Sequence, residues 1–125
     1  MFKLLAEIFK RESTMQQAFD KMLEMLKTEQ AMYQTSIKAL KDYQSSVNNG
    51  DINVYEEDQR INQLQRDIRQ KVVIHLVTST SRDVVFGLVL VSIIIDVERI
   101  GDYTKNIMDL AKNQKKPLDY TPYSN

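Results

Sequence analysis

Cysteine is absent from the chain. It therefore has no disulfides and no thiolate metal site, and any metal must be held by oxygen or by the single histidine. The lack of cysteine also fits a reducing cytoplasm. Glycine and proline are scarce, three and two in 125 residues, which argues against a turn-rich β architecture and for long uninterrupted helices. Net charge is lacking as well, because 17 basic and 17 acidic residues cancel, so nothing suggests general attraction to nucleic acid. No apolar run is long enough to cross a bilayer, which takes about 20 residues. The strongest, Val84 to Val97, is interrupted by Gly87, Ser92 and Asp96. A glycine-rich phosphate loop is missing too.

What is present is helical periodicity. The chain is long enough for one domain with a real core. Residues 1–12 form a short amphipathic segment, read as a docking helix, with a membrane-surface anchor as the sharper alternative. Ser13 with Gln16 has the form of a capping box that opens a first long helix. Its apolar stripe is Met15, Phe19, Met22, Leu26, Tyr33, Ile37, Leu40 and Val47, and Asn48-Asn49-Gly50 stops it. Asp51 is a plausible N-cap for a second helix with the stripe Val54, Ile61, Leu64, Ile68, Val72 and Leu76, fading near Thr78 to Ser81. A third runs from about Arg82 to Gln114, with Phe86, Leu90, Ile93, Val97, Ile100, Ile107 and Ala111 on one stripe. Residues 115–125 are an irregular tail. The fold class is all-α: an antiparallel three-helix bundle over residues 13–114. His75 falls within the second stripe and reads as a packed core or boundary histidine, and the methionines read as core filler.

The third helix carries a second apolar face. Val84, Leu88, Val91 and Ile95 lie roughly opposite Phe86, Leu90, Ile93 and Val97. A helix that is apolar all round is buried on both sides, and three helices cover only one. A second bundle or a second copy of the chain is implied, with Gly87 and Gly101 allowing close approach there.

Glu98 and Asp102 continue this second face and stand one helical turn apart, so both project from one patch. Two like charges beside an apolar strip are unfavourable unless neutralised, and a cation does so economically. Asp58 and Asn62 repeat the spacing on the second helix, about equally far from the turn near Ser79–Ser81, so the four side chains can converge at one height. Carboxylates and an amide carbonyl suit hard or borderline cations such as Mg²⁺, Mn²⁺ or iron, and zinc less naturally. The same spacing also fits a solvated helix face whose acids pair with Arg60 or Arg99. A di-metal oxidase needs Glu-x-x-His pairs, and no Glu here has a His three residues later.

The string Ile95-Asp96-Val97-Glu98-Arg99-Ile100-Gly101-Asp102-Tyr103-Thr104-Lys105-Asn106-Ile107 resembles the signature of the PhoU family of phosphate-response regulators. Asp58-Gln59-Arg60-Ile61-Asn62-Gln63-Leu64 is similar to the family's other motif, an acid, two residues, then Ile and Asp, followed by Leu. The resemblance spans roughly residues 13–114. It implies that Glu98, Asp102 and Asp58 are metal ligands, with iron, zinc, magnesium or manganese as the ion. Asn62 departs from the usual Asp, which removes a charge and implies fewer or weaker ions. The family commonly carries two repeats and this chain has one, which agrees with a homodimer. By the same resemblance the protein is a non-enzymatic cytoplasmic regulator of phosphate uptake or signalling. It would contact a phosphate ABC transporter or a sensor histidine kinase at the inner membrane face. A regulatory domain of sodium–phosphate symporters and a purely structural helical module are the alternatives.

Overall fold

A computed structural model of the chain describes residues 2–43, 52–77, 81–119 and 121, without the side chains of 7–13 and 81–83. Three helices make up the fold: α1 (Phe2–Lys41), α2 (Val54–Val77) and α3 (Ser81–Lys112). There is no strand among the described residues. All three helices pack on one another, as expected for a three-helix bundle. The expected features at Val47, Asn48 to Asp51 and Thr78 to Thr80 lie outside the described residues.

The first helix differs from expectation at its start. Residues 2–41 form one continuous helix, so no new helix begins at Ser13. The segment before it contains neither glycine nor proline, and nothing in its backbone chemistry forces a break. The cap of α2 is Asn53, whose Oδ1 accepts from the N–H groups of Tyr55 at 3.1 Å and Glu56 at 3.3 Å. These satisfy two of the free donors at the helix start. Asn53→Ala is expected to cost about 1 kcal/mol, read from the urea midpoint of unfolding.

Polar contacts fix the register. Lys71 donates to Gln17 Oε1 at 3.2 Å, Lys21 lies 4.0 Å from Asp67, and Arg60 pairs with Glu24, so α1 and α2 run antiparallel. Tyr43 donates to the Lys115 carbonyl at 2.8 Å and Gln114 to the Leu40 carbonyl at 3.2 Å. The ends of α1 and α3 therefore lie together, and the two helices run parallel.

The inner lines follow a spacing of three and four residues, the period of left-handed bundle packing. On α1 the buried line is Met15, Ala18, Met22, Met25, Glu29, Met32 and Ser36. On α3 it is Gly87, Leu90, Ile94, Val97, Gly101, Thr104 and Met108. Both correct the stripes read from hydrophobicity: Phe19, Leu26, Tyr33, Phe86, Ile93 and Ile100 are exposed. Each helix has an apolar arc wider than one buried line, and the most closely packed positions hold small or polar residues that carry no hydrophobic signal. On α2 the buried line is Val54, Asp58, Ile61, Leu64, Ile68, Val72 and His75, which contains the expected stripe except that Leu76 only flanks the core. His75 is buried there, on the core side as expected.

The glycines face inward rather than toward a partner. A Cβ on Gly87 would stand 2.8 Å from Leu76 Cδ2, and one on Gly101 3.2 Å from Glu29 Oε1. Each marks a place where α3 approaches its own neighbours closely.

Candidate functional site

The two acidic segments meet where α2 and α3 lie side by side. Asp58 is on the inner line of α2 and is buried. Lys105, from α3, donates to Asp58 Oδ2 at 3.2 Å and lies 3.6 Å from Asp102 Oδ1. One ammonium thus stands between the acid that opens the first segment and the acid that closes the second. Its pKa is raised, chiefly by the hydrogen bond to Asp58 against the opposing effect of burial, and the charges of Asp58 and Asp102 add to the rise.

Neither arginine considered from the sequence fills this place. Arg60 turns to Glu24 and Glu57, and Arg99 is exposed on the far side of α3. The signal for Lys105 was present, since it follows Asp102 by three residues on one helix face.

Asn62 and Glu98 are half-buried. With Asp58 opposite Lys105 in an antiparallel pair, Asn62 falls one turn further along α2, at the height between Glu98 and Asp102. All four expected residues therefore belong to one belt on the α2–α3 seam. Tyr103 does not, because it is 66% exposed and turned outward. Among the described residues no three His, Asp or Glu side chains are grouped to hold a metal ion. In this arrangement Lys105 supplies the positive charge. The oxygen donors around it are of the type a hard cation takes, and the ammonium is on a flexible, partly exposed stem.

Beneath the belt lies a residue that hydrophobic patterning missed. Glu29 of α1 is 2% exposed, its carboxyl packs on Gly101 and neither oxygen has a side-chain hydrogen-bond partner. Burial pushes its pKa to about 8; the Gly101 backbone offsets part of the rise, and the negative charges of Glu98 and Asp58 add to it. Glu29 is thus mostly protonated at neutral pH, and it lies beneath a belt in which Lys105, Asp102 and Glu98 succeed one another over two turns of α3 with Asp58 facing them from α2. The sequence signal for Glu29 was its place in the three-and-four series with Met22, Met25 and Met32.

No helix among the described residues is long and apolar enough to cross a membrane. Comparison with curated proteins and with solved structures finds no match. The model of one protein family, described as PhoU domain, matches residues 22–111. This span takes in Glu29, both acidic segments and all three helices, so the chain belongs to the PhoU family.

Proposed function

We propose that this chain is a regulatory adaptor of phosphate homeostasis that works through protein–protein contacts, and that the α2–α3 belt is its cation-responsive element. Membership of the PhoU family carries the first half, since the family is regulatory and non-enzymatic. A phosphate ABC transporter or a sensor histidine kinase is the expected partner class. The observation that carries the second half is the meeting of Asp58 and Asp102 on either side of one ammonium.

Two carboxylates drawn together from different helices repel unless a cation lies between them. Lys105 fills that role from within the chain. Asp58, Asp102, Glu98 and the Asn62 carbonyl are the groups that would hold Mg²⁺, Mn²⁺ or iron instead. Metal and ammonium are then alternatives: an ion displaces Lys105, turns that side chain outward and changes the charge presented by the seam. Asn62 reduces the negative charge available, so the exchange is reversible and responsive to ion concentration.

Titration calorimetry of the full chain with Mn²⁺ tests this. Wild type is expected to bind, and Lys105→Met to bind at least roughly tenfold more tightly, because the internal competitor is gone. Asp58→Asn and Asp102→Asn are each expected to lose binding. Absence of binding in both wild type and Lys105→Met overturns the cation half. The adaptor half is tested by capture from membranes of phosphate-starved cells. Recovery of a phosphate transporter or sensor kinase supports it, and recovery of neither overturns it.

A further inference from the structure

The interior behind the acidic belt contains a group that packing does not account for. Glu29 is 2% exposed, and neither carboxyl oxygen has a side-chain hydrogen-bond partner. Its polar contact is with the Gly101 backbone, which the helical ladder of α3 already engages. Buried polar groups are nearly always fully partnered, and one that is not points to a further role, such as holding an ion. An apolar residue would suit the place better. Met22, Met25 and Met32 stand on the same buried line of α1, and a methionine has no polar group to desolvate.

The carboxyl is aimed at the belt. Its Oε1 is 3.2 Å from the point where a Cβ of Gly101 would stand, and Ile61 Cδ1 is 3.7 Å from that point. The Glu29 side chain thus crosses from α1 to the inner side of the α2–α3 seam. On α3, Gly101 adjoins Asp102 and follows Glu98 by three residues; on α2, Ile61 adjoins Asn62 and follows Asp58 by three. The negative charges of Glu98 and Asp58 both act on the Glu29 carboxyl, and Asp58 is itself buried. Every helix therefore directs acid toward the seam: Glu29 from α1, Asp58 from α2, and Glu98 with Asp102 from α3.

On the cation-responsive reading of the belt, we propose that Glu29 is the inner ligand of the site, so that a bound ion is held by all three helices. While Lys105 stands between Asp58 and Asp102, no three of these carboxyls are grouped around one point. Departure of the ammonium frees that space, and the ion takes the place of the proton that Glu29 otherwise keeps. A hard cation takes about six oxygen ligands, and those of the belt come from the two flanking helices alone. Glu29 supplies the side facing the core, and adds a carboxylate to a belt in which Asn62 brings no charge. Occupation then ties α1 to the α2–α3 pair.

Mn²⁺ calorimetry and urea unfolding of the full chain, wild type beside Glu29→Met, test this together. Glu29→Met is expected to weaken Mn²⁺ binding by roughly tenfold or more, through loss of a charged ligand. The same loss is expected in the Lys105→Met background, where no ammonium competes. Without metal at pH 7, Glu29→Met is expected to unfold at a higher urea concentration than wild type, so the lost affinity does not come from a damaged fold. A fixed Mn²⁺ concentration is expected to raise the wild-type midpoint more than that of Glu29→Met. Equal affinities in wild type and Glu29→Met leave a two-helix site and overturn the role of Glu29 alone. Weaker binding together with a lower metal-free midpoint overturns it as well, since a disturbed bundle would suffice. Absence of binding in wild type and Lys105→Met overturns the cation reading, and this role with it.

Discussion

Replacing Glu29 by methionine is expected to stabilise the bundle by about 3 kcal/mol at pH 7 and to remove most of the pH dependence of its stability above pH 5. Glu29 has an ordinary pKa of 4.5 when the chain is unfolded and one of about 8 when folded. Between these values the unfolded chain releases a proton that the folded chain retains. Stability contributed by the protonated acid is complete below pH 4.5 and falls as pH rises, reaching its floor once the folded carboxyl ionises near pH 8. At 1.36 kcal/mol per pKa unit the whole loss is about 5 kcal/mol, of which the larger part has occurred by pH 7. Methionine has similar length and no ionisable group, and it would join Met22, Met25 and Met32 on the same line. Urea midpoints at pH 5, 7 and 9 check this. A wild-type midpoint that does not fall with pH, or a Glu29→Met variant no steadier than wild type, would contradict the burial of an ionisable group at this position.

The second large effect concerns the glycine of the motif. Gly101→Leu is expected to destabilise the bundle by about 3 kcal/mol or more, the cost of overpacking a filled interior. Even a bare Cβ there stands 3.2 Å from Glu29 Oε1, with Ile61 at 3.7 Å, and the remaining leucine atoms have nowhere to go without parting α3 from α1. Shortening the opposing side chain makes room, so Glu29→Ala combined with Gly101→Leu is expected to recover at least half of the loss. Thermal unfolding of the two single variants and the double variant measures the coupling. Additive effects would mean that Glu29 and Gly101 do not share one space. The glycine is thus explained by a contact within the bundle. It lets a carboxylic acid from α1 lie against the backbone of α3, directly beneath the Asp58–Lys105–Asp102 group.

How much of this was legible in sequence differs from helix to helix. On α2 the apolar residues coincide with the inner line, so Val54, Ile61, Leu64, Ile68 and Val72 were identified directly. On α1 and α3 they did not. Phe19, Leu26 and Tyr33 are more hydrophobic than Ala18, Glu29 and Ser36, yet the second group faces the core. Phe86, Ile93 and Ile100 likewise outweigh Gly87, Gly101 and Thr104 in any hydrophobic pattern. Hydrophobicity rewards size, whereas close helix approach rewards the lack of it. The acidic residues were legible through spacing, and both segments lie within the region that matches the family. Their internal counter-ion was not identified, because Lys105 is one of many lysines on a helix surface until α2 brings Asp58 to it.

The sequence by itself determined three long helices, the heights at which Asp58, Asn62, Glu98 and Asp102 fall, and the family. These follow from local periodicity and short-range spacing, which a helix translates directly into position along its axis. The tertiary structure alone decided which side of each apolar arc turns inward, that Glu29 is buried as an acid against Gly101, and that Lys105 rather than an arginine joins the two acidic segments. Rotation about a helix axis is set by neighbours distant in the chain. Small and polar residues at the tightest contacts leave no mark in a hydrophobic pattern until those neighbours are in place.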